Sequence, residues 1–281
     1  NLEGVHTYTV TATDGAGNVG TASVTYTVDN TAPVVTITAP QSGKYYKSAA
    51  VPAGTFSVVE TNPYTTVEAG WSTAEGIHTY TVTATDSAGN VGITSVMYTV
   101  DNTKPVVTIT APLSGHYYKT ADVPAGAFTT TDLNGVVSTT EAGWAKSPDG
   151  SYTYIVTATD AAGNTGSASV TYTVDNIAPV VTILAPLSGH YYKSVNVPAA
   201  AYGVVDTNPW TAVQSGYSIV EGIHTYTLTA TDGAGNVGTA SVTYTVDNTA
   251  PIVTITAPQG GKYYKSAAVP VGAFSVVEIN P

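Results

Sequence analysis

The sequence predicts an all-β protein made of small β-sandwich domains that are stacked end to end as a rod. The first observation is an internal repeat, because the dipeptide Asp-Asn recurs at intervals of 72, 74 and 72 residues. The second is the alternation of apolar residues with threonine or serine, which is the pattern of half-buried strands. The third is that no segment of the chain shows the helical period of apolar residues.

The repeats divide the chain into three whole units and two partial ones. The predicted whole repeats are 31–102, 103–176 and 177–248, with 1–30 as a C-terminal half and 249–281 as an N-terminal half. Residues 5–33 and 223–251 differ at only two positions. We interpret the chain as a window from a longer tandem array. The alternative interpretation is a subunit whose two partial ends meet between neighbouring chains.

The elements can be assigned on the repeat 31–102. Strands are expected at 33–38, 50–59, 65–71, 77–85 and 93–100, with a short extended piece at 45–46. The segments between them are rich in Pro, Gly, Asn and Asp, the residues that favour turns. Alternation predicts that one face of each strand is apolar, as with Tyr8, Val10 and Ala12. A single small sheet cannot bury such a face, so two sheets are expected to pack on each other.

The segment TVTATDGAGNVGTASVTYTVDNTAPVVTI, residues 9–37, resembles the end of a bacterial immunoglobulin-like (Ig-like) repeat joined to the start of the next. It is also similar to the end of a cadherin repeat and its linker. The resemblance extends over the whole chain, and it implies Ig-like sandwiches from the stalks of bacterial or archaeal surface proteins and adhesins. It therefore implies an extracellular or cell-surface location. The chain lacks the Asp-X-Asp and Asp-Arg-Glu motifs of cadherins, so calcium ligands are not transferred from that family.

The composition excludes several classes of function. The chain has 19 acidic residues and 8 basic ones, all of them lysine, and a net charge of −11. Without a basic patch, nucleic acid is not an expected partner. Without cysteine, disulfides and thiolate metal sites are excluded, and no apolar run is long enough to span a membrane. The expected partners are neighbouring repeats of the same chain, like chains in a fibre, or surface glycans.

Strand direction predicts where the acidic residues lie. Because successive strands reverse, the chain enters each repeat at one end and leaves it at the other. The linker after one repeat should therefore meet two loops of the next repeat, and we call this meeting point a junction. All acidic residues except Glu68, Asp122 and Glu141 lie in such end segments.

Three complete junctions are predicted, each with four carboxylates and nearby asparagines. The candidates at the first junction are Glu3, Asp29, Asn30, Glu60, Asn62, Asp86 and Asn90. Those at the second junction are Glu75, Asp101, Asn102, Asp132, Asn134, Asp160 and Asn164. Those at the third junction are Asp149, Asp175, Asp206, Asn208, Asp232 and Asn236.

Four carboxylates at one junction repel one another unless a cation joins them. Ca²⁺ takes about 6–8 oxygen ligands from flexible loops, so we expect Ca²⁺ at the junctions and no other cofactor. Two alternatives stay open. Lysines lie at the same ends and would neutralise the acids by salt bridges, as with Lys44, Lys47 and Lys104 near the second junction and Lys146 in another end turn. The acids are otherwise ordinary solvated turn formers.

No arrangement of nucleophile, base and orienting group is apparent in the sequence. His6, His78 and His224 share one strand position, but the repeat 103–176 has Tyr152 there. A structural role is therefore expected for the histidines. We therefore predict a protein that is not an enzyme.

The predicted function is a stiff extracellular spacer, stalk or filament segment of a microbial surface protein. One alternative is a glycan- or ligand-binding adhesive module, with Tyr64 and Trp210 as the stacking residues. Another is a non-catalytic extension of a secreted hydrolase.

Overall fold

The computed structural model describes residues 2–278. The outermost residues of the two partial repeats, 1 and 279–281, lie outside the described residues. The chain divides into two compact units. The first holds residues 1–111, 126–143 and 154–169, and the second holds 112–125, 144–153 and 170–281. The repeat boundaries given above stay a prediction.

The first unit begins with an antiparallel hairpin of β1 (Gly4–Thr13) and β2 (Val19–Val28). The next elements are β3 (Val34–Ala39), β4 (Tyr45–Tyr46), a 3₁₀ helix (Ser48–Ala50), β5 (Thr55–Val59), β6 (Tyr64–Ala69), β7 (Gly76–Asp86) and β8 (Val91–Val100). β3 pairs with β5, and the other four strands form one sheet in the order β4-β8-β7-β6. All pairs are antiparallel except β4 with β8.

The following repeat contributes residues to both units. Its elements are β9 (Val106–Ala111), β10 (Tyr117–Tyr118), a 3₁₀ helix (Thr120–Asp122), β11 (Ala127–Thr131), β12 (Val136–Ala142), β13 (Gly150–Asp160) and β14 (Thr165–Val174). Within the first unit β9 pairs with β11 and β12 with β13, both antiparallel. Within the second unit β10 pairs with β14 in parallel.

The second unit continues with the same pattern. Its further elements are β15 (Val180–Ala185), β16 (Tyr191–Tyr192), a 3₁₀ helix (Ser194–Asn196), β17 (Ala201–Val205), β18 (Trp210–Ser215), β19 (Gly222–Asp232), β20 (Val237–Val246), β21 (Ile252–Ala257), a 3₁₀ helix (Ser266–Ala268) and β22 (Ala273–Val277). β15 pairs with β17, β21 pairs with β22, and a four-stranded sheet has the order β16-β20-β19-β18. Among the described residues, no helix is long and apolar enough to cross a membrane.

Tyrosine and small aliphatic side chains form the core of each sandwich. In the repeat with β3–β8, Tyr80 and Val82 are fully buried and pack with Tyr98 against Val35 of the opposite sheet. The hydroxyl of Tyr98 donates to Ser72 O and accepts from Ser72 N, both at 2.8 Å, so its burial leaves no polar group unpaired. The all-β, Ig-like sandwich prediction is confirmed, and the alternating faces lie as the sequence indicates.

One predicted strand is shorter than expected. The segment 50–59 becomes a strand only from Thr55, because a 3₁₀ helix ends at Ala50 and an irregular stretch follows. Pro52 cannot donate to a ladder. Gly54 passes directly over the core, since a Cβ placed on it would lie 2.5 Å from Tyr80 Oη. The close approach to the tyrosine therefore takes the place of strand pairing here.

Candidate functional site

Each hairpin loop between the two longest strands of a repeat folds around an aspartate carboxylate. In the loop after β13, Asp160 Oδ1 accepts the backbone N–H of Asn164 at 2.8 Å, and Oδ2 accepts its side-chain amide at 2.8 Å. The same two bonds, at 2.8 to 2.9 Å, join Asp86 to Asn90 and Asp232 to Asn236. The loop sequence Asp-X-Ala-Gly-Asn suits this shape because its glycine has a positive φ, +85° at Gly163.

Hydrogen bonds hold the pKa of two loop carboxylates, Asp14 and Asp86, below the usual 3.8. For Asp14, the side-chain amide of Asn18 is the main cause, followed by the backbone N–H groups of Asn18 and Ala16. For Asp86, burial raises the pKa, but the bonds from Asn90 and from Ala88 N outweigh it, so the pKa is lowered.

The loop asparagine also connects one repeat to the linker that precedes it. Asn164 Nδ2 donates its second hydrogen to the carbonyl oxygen of Asp101 at 2.9 Å. The equivalent bonds run from Asn90 to Asp29 O at 3.2 Å and from Asn236 to Asp175 O at 3.0 Å. These asparagines were predicted to offer side-chain oxygens to a metal. Their amide hydrogens bond to the linker, and a ligand role for their oxygens stays a prediction.

A set of hydrogen bonds among Ser48, Glu75 and Asn102, which we call the bracket, joins the linker to the repeat before it. Asn102 Oδ1 accepts from Ser48 N at 2.9 Å, and Asn102 Nδ2 donates to Ser48 Oγ at 2.7 Å and to Glu75 Oε2 at 2.8 Å. Glu75 also accepts the backbone N–H of Asn102 at 2.9 Å. This backbone bond first, then the side-chain amide, lowers the pKa of Glu75 below 4.5.

Five of the predicted ligand residues take part in these contacts or are exposed, and their binding of a metal stays a prediction. Glu75 and Asn102 bond to each other, and the side chain of Asp101 also lies beside Glu75 and contributes to its lowered pKa. At the third junction Asp149 likewise accepts from Asn176 N at 3.1 Å. At the first, Glu3 accepts from the hydroxyl of Thr31, while Asn30 is exposed. The physical reason is that the acid in the turn before the long hairpin reaches the linker backbone, whose N–H groups need acceptors.

The remaining carboxylates converge at two of the three junctions. One carboxylate oxygen each of Asp101, Asp132 and Asp160 lie within 4.8 Å of one another. The same holds for the set Asp175, Asp206 and Asp232. In both sets the linker and hairpin-loop aspartates are buried and the third is half-buried.

The first junction differs because it has Glu60 where the second and third junctions have Asp132 and Asp206. Glu60 Oε1 folds back onto its own loop and accepts from Thr61 N at 2.6 Å and Asn62 N at 3.0 Å. Asp29 Oδ2 accepts from Asn62 Nδ2 at 2.7 Å. Among residues 2–278, the three acids of this junction are not one of the converging sets.

At the second junction two carboxylate oxygens have no hydrogen-bond donor. Asp101 Oδ1 accepts from Thr103 N and Asp132 Oδ1 accepts from Asn134 N, both at 2.9 Å. Asp101 Oδ2 and Asp132 Oδ2 are buried and unpartnered. Burying a carboxylate oxygen without a donor raises the free energy of the folded state.

Lysine does not form ion pairs with the carboxylates of the second junction. Among residues 2–278, no ion pair joins a lysine to Asp101, Asp132 or Asp160. Lys47 approaches the hairpin loop, and its Cε would lie 3.9 Å from a Cβ placed on Gly163. The salt-bridge alternative therefore finds no support at the second junction.

The histidines close a turn. His78 Nε2 lies 2.6 Å from Ala74 O, and its ring centroid is 5.6 Å from that of Tyr98. In the next repeat Tyr152 makes the equivalent contact, because its hydroxyl donates to Pro148 O at 2.5 Å. Two different side chains bind a carbonyl four residues earlier, which fits a structural role.

A tyrosine–glutamate hydrogen bond, formed in two of the repeats, was not predicted from the sequence. Tyr80 Oη donates to Glu68 Oε2 at 2.5 Å, and Tyr154 does the same to Glu141. Burial first, then the bond and charge of Glu68, raise the pKa of Tyr80 to about 12. The signal was that these two acids lie on strands rather than in loops.

The aromatic residues considered for an adhesive role lie beside the junctions. Tyr64 and Trp210 begin β6 and β18, opposite Asp86 and Asp232, and are 45% and 41% exposed. This partial exposure leaves the adhesive alternative a prediction.

Comparisons with known proteins give distant similarities. No protein-family model matches the chain. A curated protein described as Hyalin, from Strongylocentrotus purpuratus, is 30% identical over 295 residues. The match covers 89% of this chain and 24% of the relative, so the chain spans well under half of that protein. The relative is an animal protein, and the bacterial or archaeal source implied by the resemblance stays a prediction.

Three solved structures represent the structural similarities. Fibronectin(III)-like modules of Clostridium thermocellum CbhA match with 16% identity and a TM-score of 0.34, over 50% of this chain and 94% of theirs. The Protocadherin GammaB4 extracellular domain matches with 14% identity and a TM-score of 0.28, over 91% and 57%. Drosophila N-cadherin EC1-4 matches with 12% identity and a TM-score of 0.21, over 88% and 85%.

Proposed function

We propose that the chain is part of a structural extracellular protein in which stiffly joined repeats hold other parts of the molecule at a fixed distance. The observation that carries the proposal is the asparagine bridge. At all three junctions one amide group donates to the linker carbonyl and to the loop aspartate; the bridging residues are Asn90, Asn164 and Asn236.

The bridge supports stiffness because it acts on a linker that is already held on its other side. Asn102 binds Ser48 and Glu75 of the preceding repeat, while Asn164 of the following repeat binds the carbonyl of Asp101. Pro105, next along the linker, has a fixed φ. A linker bound on both sides keeps few free torsions, which is what a spacer needs.

The distance between spin labels on either side of the second junction tests the proposal. The chain has no cysteine, so Thr66→Cys and Thr139→Cys, both at exposed positions, give two unique labels. We expect a narrow distance distribution in the otherwise unchanged protein. We expect Asn164→Ala to broaden it, because both bridging bonds are lost.

The same substitution at another junction is the control. Asn236→Ala removes the equivalent bonds at the third junction and is expected to leave the labels at 66 and 139 unaffected. A broad distribution with Asn164 intact would contradict the stiff spacer. A narrow distribution that survives Asn164→Ala would show that the bridge does not provide the stiffness.

We also propose that junction carboxylates bind Ca²⁺. The support is the two sets of three aspartates, whose hard oxygens suit this cation. Asp101, Asp132 and Asp160 would hold it at the second junction, and Asp175, Asp206 and Asp232 at the third. The ion would neutralise the carboxylates and cross-link the linker to both loops. Calorimetric titration of the chelator-treated chain with Ca²⁺ tests this proposal. If no heat is released or absorbed and the melting temperature does not change, Ca²⁺ binding is excluded.

A further inference from the structure

We propose that the junctions differ in cation affinity and that the second junction, Asp101 with Asp132 and Asp160, binds Ca²⁺ most tightly. This inference rests on the proposed binding of Ca²⁺ at the junctions and assigns an order to the sites. The observation that carries it is the pair of buried, unpartnered oxygens, Asp101 Oδ2 and Asp132 Oδ2.

The other two junctions fill the corresponding position with an amide of their own. Asn208 Nδ2 donates to Asp175 Oδ2 at 2.7 Å, and Asn62 Nδ2 donates to Asp29 Oδ2 at 2.7 Å. A cation that enters there has to displace this bond or do without one linker oxygen. At the second junction no donor has to leave, because the linker oxygen faces none.

The cause of the difference is one residue in the loop after the second strand of each repeat. That loop reads Thr-Asn-Pro at 61–63 and 207–209 but Leu-Asn-Gly at 133–135. Gly135 has a φ of +86°, which proline cannot adopt. Asn134 N still bonds to Asp132 Oδ1, as Asn208 N does to Asp206 Oδ1, but the Asn134 side chain makes no bond to Asp101 Oδ2.

Nearby positive charge does not account for the order. Lys47 approaches the hairpin loop of the second junction, with Cε 3.9 Å from a Cβ placed on Gly163. Lys119 approaches the third junction in the same way, 4.0 Å from a Cβ placed on Gly235. Both junctions therefore have a lysine beside the hairpin loop and the same three aspartates, and they differ in the amide. The second linker also carries Lys104 where the third has Ala178, and this extra positive charge would oppose rather than produce the proposed order.

The size of the effect follows from the bond that competes. A hydrogen bond to a charged group contributes about 1.5–3 kcal/mol, which corresponds to roughly 10- to 100-fold in affinity. We expect the second junction to bind Ca²⁺ roughly 10- to 100-fold more tightly than the third. The first junction, whose three acids do not converge, is expected to be the weakest.

Calorimetric titration of the whole chain with Ca²⁺ alone tests the order. Asp206→Asn weakens the third junction and leaves the second to be measured; Asp132→Asn does the reverse. We expect Asp132→Asn to abolish the tightest binding step and Asp206→Asn to keep it. Circular dichroism of each variant checks the fold, and Asp132→Ser replaces Asp132→Asn where the latter fails to fold.

A matched pair of variants tests the cause. Asn208→Ala frees Asp175 Oδ2, so the third junction is expected to gain roughly 10- to 100-fold in affinity. Asn134→Ala is the control and should change the second junction little, because its side chain does not bond to Asp101 Oδ2. Loss of affinity in Asn208→Ala would make Asn208 a ligand and overturn the inference. Equal affinities at the second and third junctions overturn the order alone, whereas absence of any Ca²⁺ binding also overturns the proposed Ca²⁺ binding.

Discussion

Gly238 is a position where adding a single methyl group is predicted to destabilise the fold, and the chain offers a matched control for it. It lies near the start of β20, where the strand passes the backbone of Pro179 at the start of its repeat. A Cβ on Gly238 would lie 1.9 Å from Pro179 O, 3.0 Å from Pro179 C and 3.3 Å from Val181 Cγ2. Gly92 and Gly166 approach Pro33 O and Pro105 O in the same way, at 1.8 Å.

The size of the effect of Gly238→Ala follows from this overlap. The carbonyl of Pro179 must withdraw by about 1 Å to relieve it, and it belongs to backbone that leads directly into β15. Overpacking of this kind costs about 1–3 kcal/mol, and we expect about 2 kcal/mol because the obstacle is backbone rather than a flexible side chain. Alanine otherwise suits a strand better than glycine, so the clash opposes a small intrinsic gain.

The chain contains its own control for this experiment. Gly20 has the same neighbours in sequence, because residues 5–33 and 223–251 are nearly identical, but a Cβ on Gly20 meets nothing within 4 Å. Hydrogen exchange measured by mass spectrometry reports the opening of each segment separately, which suits a chain of several repeats. We expect exchange in 180–185 to be roughly 30-fold faster in Gly238→Ala and unchanged in Gly20→Ala. Equal exchange in the two variants would refute the reasoning.

Two further predictions concern titration. Tyr80, with a pKa of about 12, stays neutral in the folded state after unfolded tyrosine ionises, so its contribution to stability is present below about pH 10 and is lost as pH rises towards 12. Difference titration of phenolate absorbance against Tyr80→Phe measures this, and Glu68→Gln should lower the midpoint; an unchanged midpoint would show that Glu68 plays no part. Asp86 has a lowered pKa, so its contribution is present above about pH 4 and is lost as pH falls through the folded value. Asn90→Ala should move the carboxyl titration of Asp86, followed by NMR, back towards 3.8; a titration that stays in place would contradict the hydrogen-bond explanation.

The fold was predictable because every repeat shows the alternation of apolar and polar residues that is typical of half-buried strands. Alternation identified the buried face, and Tyr80, Val82 and Ala84 are all fully buried. The degree of burial was not predictable from local sequence. Tyr8 and Tyr226 have nearly the same neighbours in sequence, yet Tyr8 is 62% exposed and Tyr226 is fully buried. The difference lies in the covering sheet: β15 and β17 lie over β19, and within residues 2–278 no second sheet covers β1 and β2.

The junction acids were predictable as neighbours, but their partners were not. Strand direction is enough to bring Asp101, Asp132 and Asp160 to one place, since it depends only on the count of reversals. It does not decide whether an asparagine presents its oxygen or its nitrogen, because both ends of the amide have nearly the same shape. Asn102 uses both ends, because it accepts from Ser48 N and donates to the Glu75 carboxylate. Asn164 donates from its nitrogen, because the linker carbonyl of Asp101 needs a donor.

Differences between repeats are therefore more informative about function than the features they share. Where Tyr152 replaces a histidine, the same carbonyl contact is kept, so the change has no consequence for the joint. Where Gly135 replaces a proline, the neighbouring amide does not bond to the linker, and Asp101 Oδ2 is buried without the donor that Asp29 and Asp175 have. A repeat that needed only to be a spacer would gain stability from the Asn-Pro form. The Leu-Asn-Gly form at 133–135 leaves Asp101 Oδ2 without a donor, and the Ca²⁺ that we propose for this junction would offset the cost.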